Sequence, residues 1–399
     1  MPSSEDEIVD IVKTAASAGQ TIDLCGHGTK RGFGQPFAAD RRVELPRMSG
    51  IVLYEPEELV VTVKAGTPLI EIERILDENN QLLAFEPADL GPLYGSGPRQ
   101  STIGGAIGCN LSGPRRIRQG AARDHVLGVR AVSGRGELFK SGGRVVKNVT
   151  GYDLSKVLTG SFGTLAALTE ITLKVVPKPR TSCTLVIEGL GDERAVAALS
   201  AALGSPADIS GAAHLPPAVA VDLKFGNSAT LMRIEGISAS VDDRADRLAD
   251  RLSEFGKARR LDAEASADLW QSLRDVAPFA AAPETAIWRV SVSPTAGPGI
   301  VSRLPDDIGL RHYYDWGGGL VWLDFPEDAL PDGGASVIRS AVAESGGGHA
   351  TLLRASDELR ARVPVFQPQP APLAALTERL RHQFDPLGIL NPGRMTLRA

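Results

Sequence analysis

Cysteine is scarce in this chain and scattered. Cys25, Cys109 and Cys183 are the only three in 399 residues, and no two form a C-x-x-C pair. Iron–sulfur clusters, structural zinc sites and disulfide frameworks need denser, regularly spaced thiols, so each loses support. Histidine is almost as sparse, with six residues. No apolar run reaches the roughly 18 residues of a membrane span. The start, MPSSEDEIVD, has neither the basic nor the apolar region of a secretory signal. A cytoplasmic chain is the expectation. Excess positive charge is also missing, since the formal net charge is −5. That argues against nucleic acid as a partner, because phosphate neutralisation drives such binding.

Glycine, by contrast, is abundant. It supplies 43 of 399 residues, against about 7% in an average domain. No G-X-Y period exists, which excludes collagen, and a hydrophobic content of 43% excludes bulk disorder. The surplus must sit in particular loops. The length suits two domains better than one, given a prior of about 150 residues per domain.

Ser4-Glu5-Asp6-Glu7 has the capping-box form and predicts a helix ending at Gly19. A strand at 21–25 then runs into Gly26-His-Gly-Thr-Lys30 and Arg31-Gly-Phe-Gly34. Strands at 52–54 and 59–64 follow, and Thr67-Pro68 opens a helix with Pro68 at its first turn. From Glu86 to Gly120 regular structure nearly disappears, with Leu90–Gln100 read as a surface loop. Strands resume at 126–133, 137–140 and 168–175. Val176-Pro-Lys-Pro179 marks a domain edge, because two prolines in three residues cannot continue a ladder. Beyond it, strands at 185–188, 229–235, 286–292, 319–325 and 350–354 alternate with helices at 194–203, 241–255, 263–276 and 335–344. That pattern reads as a sheet covered by helices.

Four glycine loops carry the functional signal. A strand entering Gly26–Lys30 lets successive N–H groups converge on an anion, although taken alone this loop reads more readily as a plain turn. It matches neither the P-loop nor the Rossmann pattern. Ser101–Asn110 (STIGGAIGCN) is rich in small residues, with Thr102 and Asn110 able to hydrogen-bond, which suits backbone pressed against a flat polar ring. Lys147–Asp153 (KNVTGYD) and Gly160–Gly163 complete the set.

These loops in this order resemble the PCMH type of the vanillyl-alcohol oxidase superfamily. Within it, the chain is similar to the FAD-binding E-type subunit of bacterial glycolate oxidase. The resemblance rests on EPEELVVTVKAGTP at 55–68, TIGG at 102–105 with GPRR at 113–116, Arg123-Asp124 with VLG at 126–128, VKNVTGYDL at 146–154, Gly160–Gly163 and NPGRM at 391–395. It implies an α+β fold: a two-lobed FAD-binding domain over 1–178, an α+β cap with an antiparallel sheet over 179–366, and a tail, 367–399, returning to the FAD domain. FAD pyrophosphate is expected on Gly26, His27, Gly28, Thr29 and Lys30. The ring is expected near Thr102, Ile103, Gly104, Gly105 and Asn110 and near Arg123, Asp124 and Val126. Pro87, Gly113, Gly160, Gly163, Ile171, Asn391 and Arg394 complete the expected cofactor set. Some relatives attach FAD through a histidine after the second loop glycine. Here His27 lies one place early, so non-covalent FAD is expected.

Relatives that oxidise D-2-hydroxy acids carry H-x-x-D-G-N-x-H and a later Glu-His pair that together bind a metal. Laying that glycine on Gly318 puts Tyr314 and Val321 at the histidines, Gly317 and Gly319 at Asp and Asn, and Gly348-His349 at the later pair. Tyrosine and valine cannot replace two imidazole ligands. No metal is expected, and His349 is the one weak catalytic candidate. Arg115, Arg116, Arg118 and Arg123 form a basic cluster for phosphate, for another subunit or simply for solvent. Trp316 and Trp322 read as core. The resemblance therefore implies a flavin-carrying glycolate oxidase subunit (glycolate to glyoxylate), with a homologous catalytic FAD subunit and an iron–sulfur subunit as partners. The inner face of the membrane would be reached through that complex. The alternatives are a stand-alone D-2-hydroxy-acid dehydrogenase with a metal-free site and a structural subunit that has lost its flavin.

Overall fold

The structure, a computed structural model, describes residues 1–144 and 151–397. The chain forms two compact units: Met1–Ser112, Gly120–Lys178 and Pro368–Ala399 make one, and Gly113–Gln119 with Pro179–Gln367 make the other.

In the first unit, helix Glu5–Ala18 begins where the Ser4 hydroxyl accepts from the Glu7 N–H and ends at Gly19 in the left-handed region. Ile8, Val12 and Ala15 form its buried stripe. It packs beside a parallel pair, Ile22–Cys25 with Arg41–Glu44. An antiparallel five-stranded sheet follows, in the order Ile51–Glu55, Val60–Lys64, Ala166–Lys174, Val126–Ser133, Leu138–Gly142. Val61, Val63, Ile171, Leu173 and Val129 face a core shared with Ile72 and Leu76 of helix Leu69–Glu78. Pro68 is the N-cap of that helix and not its first turn, because its ψ of 138° is extended.

Two expectations need correction here. The 86–120 stretch contains helix Ile103–Gly108, which Thr102 caps by accepting from the Gly105 N–H at 3.2 Å. Nor is 90–100 a mere surface loop. Leu90, Gly91 and Leu93 are buried, and Pro92–Tyr94 forms a turn of 3-10 helix. The Asp89 carboxylate closes the segment by accepting from the Arg99 N–H (2.5 Å) and the Ser101 hydroxyl (2.7 Å).

The second unit is built on an eight-stranded sheet in the order Ala258–Leu261, Thr181–Glu188, Ala229–Gly236, Ile209–Leu215, Arg311–Asp315, Leu320–Pro326, Thr285–Ser291, His349–Arg354. Its strand pairs are antiparallel. Helices Asp192–Leu203 and Ser238–Arg251 bury their apolar stripes on one half, and Ala335–Glu344 does so on the other. Three strands escape the sequence reading. Ile209–Leu215 (ISGAAHL) is buried throughout and shows no alternation, Arg311–Asp315 (RHYYD) is polar, and Ala258–Leu261 is a short edge.

No helix among the described residues is long and apolar enough to cross a membrane.

Candidate functional site

Strand Ile22–Cys25 delivers the chain into the Gly26–Gly34 loop, which borders a cleft of about 790 Å³ inside the first unit. Among the predicted residues, Gly26, His27, Gly28, Thr29, Lys30, Thr102, Gly104, Gly105, Gly163, Asn391 and Arg394 line it. They come from four separate stretches of sequence.

Asn391 staples three of those stretches. Its Oδ1 accepts from the Leu24 N–H at 2.6 Å, and its Nδ2 donates to the carbonyls of Leu24 (3.2 Å) and Phe162 (2.7 Å). Arg394 adds a bond from its guanidinium to the Lys30 carbonyl at 2.9 Å. The tail thereby fixes the strand end and both loops, as buried backbone groups require. The opening glycine is sterically forced, since a Cβ on Gly26 would lie 2.3 Å from the Thr102 Oγ1. Gly105 differs: a Cβ there would sit 3.3 Å from Lys30 Cε and Thr102 Oγ1, on the wall of the cleft.

Lys30 dominates the electrostatics. It is 7% exposed, and its ammonium donates to the hydroxyls of Thr29 (3.2 Å) and Ser101 (3.1 Å). Among the described residues no carboxylate lies within ion-pair distance of it. Burial pushes its pKa below the usual lysine value, partly opposed by Cys109 and Asp89. Burial likewise raises the Cys25 and Cys109 thiols. A desolvated cation facing a cleft through hydroxyls alone lacks a counter-charge, and a diphosphate supplies one. With glycine walls for a flat group, the residues present fit FAD.

The remaining predicted residues lie elsewhere. Ile103, Val126 and Ile171 are core, and Pro87 is buried away from the cleft lining. Asn110 Oδ1 accepts from the Arg123 N–H at 3.2 Å, and Gly160 packs on Asn110 Cβ. Asp124 accepts from the Ala121 N–H at 2.8 Å. Gly113 belongs to the second unit, where its carbonyl accepts from the Trp316 indole at 3.1 Å. Of the Lys147–Asp153 motif, residues 147–150 lie outside the described residues. The sequence reading missed Leu24, Cys25, Arg31, Leu45, Ala65, Gly108, Cys109, Phe162, Ala166 and Leu168 in the lining. Cys25 and Arg31 adjoin the predicted loops, and Gly108, Cys109 and Phe162 lie inside them, so membership of or adjacency to a glycine loop is the available signal.

In the second unit, Tyr314 and Val321 are fully buried in the core. The Tyr314 hydroxyl donates to the Asp192 carboxylate at 2.6 Å, and His312 Nε2 lies 2.8 Å from the same oxygen. His349 is exposed at the start of its strand. The basic cluster disperses: Arg115 makes a bidentate pair with Glu235 (2.9 and 2.6 Å), Arg118 meets Asp208 and Arg123 meets Asp124. Burial alone would raise the Glu235 carboxyl, but Arg233 and Arg115 overcome it and hold it at about 2.

A family profile described as an FAD binding domain matches residues 1–142. Over 389 residues the chain is 35% identical to glycolate oxidase subunit GlcE of Escherichia coli (strain K12), spanning 97% of this chain and 96% of that one. The chain belongs to the glycolate oxidase subunit GlcE family. It is thus a member of an FAD-dependent oxidoreductase family, and FAD is its cofactor. Glycolate oxidase subunit GlcD of Bacillus subtilis (strain 168) is 31% identical over 235 residues, 59% of this chain and 46% of that one. The fold is that of 4-ethylphenol oxidase from Gulosibacter chungangensis, with a TM-score of 0.74 at 14% identity, covering 99% of this chain and 88% of that one. The PCMH-type α+β architecture expected from the sequence is therefore present.

Proposed function

We propose that this chain is the flavin-carrying subunit of a multi-subunit glycolate oxidase, and that a homologous partner subunit holds the site that oxidises glycolate to glyoxylate. An iron–sulfur subunit completes the proposed complex, which would bring the chain to the inner face of the membrane. One observation carries the reading. The first unit has a cleft suited to FAD, whereas the positions that would supply imidazoles for hydroxy-acid activation hold a buried tyrosine bonded to Asp192 and a buried valine.

In this reading Gly26–Lys30 receives the diphosphate and Lys30 neutralises it. Thr102–Gly105 carries the ring, and the Asn391 and Arg394 bonds keep the cleft from opening. Asn110, Arg123 and Asp124 support the ring-side backbone. The domain limits stay as 1–178, 179–366 and 367–399, with Gly113–Gln119 crossing into the cap. Bound FAD supplies reversible electron storage and transfer. His27 Nδ1 lies 2.8 Å from the Gln100 carbonyl, an engagement that favours non-covalent FAD. His349 is kept as the weak base candidate.

The test is the visible spectrum of the purified chain before and after anaerobic glycolate. A yellow protein that keeps its colour supports the reading. Rapid bleaching favours the stand-alone dehydrogenase, and a colourless protein that refuses added FAD favours a structural subunit.

A further inference from the structure

The second unit contains an arginine whose hydrogen-bonding capacity is unused. Arg289 lies in strand Thr285–Ser291, paired with Trp322 on one side and Thr351 on the other. Its neighbours Trp288 and Val290 point into the core under helix Ala335–Glu344, so Arg289 projects from the opposite face. There its guanidinium stands over two indoles, 5.1 Å from the Trp316 ring centre and 6.0 Å from that of Trp322. Such contacts stabilise the cation through the ring faces but accept none of its five N–H donors. Among the described residues no hydrogen-bond acceptor or carboxylate is within bonding distance of it.

A second cation shares the same ring. Arg116, on the short helix Arg116–Gln119, stacks 4.3 Å from the Trp316 centre. The indole is fixed for both: its N–H donates to the Gly113 carbonyl, and the Trp316 backbone N–H donates to Asp315 Oδ1 at 2.7 Å. Burial and the nearby Arg116 push the Arg289 pKa down to about 10, partly opposed by Asp315, so it stays charged at neutral pH. Arg289 therefore keeps its charge and its N–H donors beside apolar rings, and an incoming anion would satisfy both. The place is reachable, because Arg289 and Thr351 are both partly exposed. His349 follows on the same sheet face, paired with Ser291.

We propose that Arg116, Trp316 and Arg289 form a binding site for a small monocarboxylate of the 2-hydroxy or 2-oxo acid class. A guanidinium covered by rings presents only its edge, and that planar fork matches the two oxygens of a carboxylate. The apolar rings disfavour a strongly hydrated tetrahedral dianion. The choice of glycolate-sized acids within this class rests on the proposed function above. The site concerns binding by the cap, not turnover.

The test uses the full chain loaded with FAD, titrated with sodium glycolate, sodium glyoxylate, neutral glycolamide and inorganic phosphate. Calorimetry and the fluorescence of Trp316 and Trp322 report binding. Saturable binding of glycolate or glyoxylate at least tenfold tighter than glycolamide is expected. Arg289→Gln and Arg116→Gln should each weaken it tenfold or more, and Arg289→Lys should restore only part. Melting temperature should not fall, and flavin content should stay unchanged. No saturable binding by the natural chain, equal binding of glycolamide, equal competition by phosphate, or undiminished binding in a folded Arg289→Gln variant would each overturn the proposal. Should Arg289→Gln fail to fold, Arg116→Gln, which lies outside the sheet, decides. Flavin retained without carboxylate binding rejects this site alone, whereas failure to hold flavin rejects the proposed function.

Discussion

Two strands in this chain run into glycine-rich turns, and the turns do opposite things. Ile22–Cys25 leads into Gly26–Gly34, whose residues border a cleft of about 790 Å³. Arg311–Asp315 leads into Trp316–Gly319, which is packed solid. There a Cβ on Gly317 would meet Leu203 at 2.5 Å, and one on Gly318 would meet the Pro294 carbonyl at 2.6 Å. In the first turn the close fit is to the cleft wall itself, since a Cβ on Gly26 would lie 2.3 Å from the Thr102 Oγ1. The second keeps its glycines so that the body of the unit can close. Glycine density is the same signal in both places, and only the surrounding space separates a binding loop from a packing loop.

Paired substitutions test that contrast most severely. Gly26→Ala drives a methyl into Thr102 and displaces the loop, so FAD affinity should fall by more than about 100-fold, read by ultrafiltration and flavin absorbance. Gly318→Ala, at φ +103° against the Pro294 carbonyl, should leave flavin affinity intact while costing about 3 kcal/mol of stability in denaturant melts. If Gly318→Ala released flavin and Gly26→Ala did not, the two turns would have been assigned the wrong way round.

Lys30→Met sharpens the comparison on charge. Losing a charge-assisted partner for the diphosphate should weaken FAD about 30- to 100-fold, roughly 2–3 kcal/mol. The flavin-free protein should respond in the opposite direction and become more stable, because an uncompensated buried cation is gone. The sign also predicts a pH effect. A lysine whose folded pKa is lowered binds fewer protons when folded, so flavin-free stability rises with pH from the lowered value up to the unfolded value near ~10.4. Lys30→Met should flatten that rise in thermal melts.

Asn391→Ala should cost about 2 kcal/mol, since the Leu24 N–H and the Phe162 carbonyl lose their partner. The loss should appear in melting of the flavin-free chain and in faster flavin release. The smallest effect is expected in the second unit. Burial works against the Asp192 carboxylate, but bonds from His214, His312 and Tyr314 hold it well below its usual range. Its contribution is present above the unfolded value near ~3.9 and is lost as pH falls through the lowered one. Asp192→Asn should cost about 1–2 kcal/mol without changing flavin affinity, and a flavin effect would show that the two units are not independent in this respect.

Much of the cleft was legible because its glycine loops are local in sequence. Gly26–Lys30, Gly104, Gly105 and Gly163 announce themselves through composition, and Asn391 and Arg394 through the NPGRM string. Leu45, Ala65 and Leu168 do not, because apolar wall residues carry no local mark of what they face. Helix Ile103–Gly108 stayed hidden because two internal glycines count against helix, and the Thr102 cap with packing on Ala65 reverses that preference. The neighbours of Gly113 in sequence point to the flavin, whereas the Trp316 hydrogen bond ties it to the second unit. That bond spans 203 residues, a separation that no periodicity reveals. Arg289 was invisible for a similar reason: an arginine in a strand looks ordinary until its partners are counted.

The central claim is that this chain holds flavin without oxidising the hydroxy acid itself. Its most direct test is anaerobic glycolate added to the FAD-loaded chain, first alone and then with the homologous subunit. The account predicts an unchanged visible spectrum alone and bleaching once the complex has formed. Bleaching of the chain alone at the rate of the complex would contradict it.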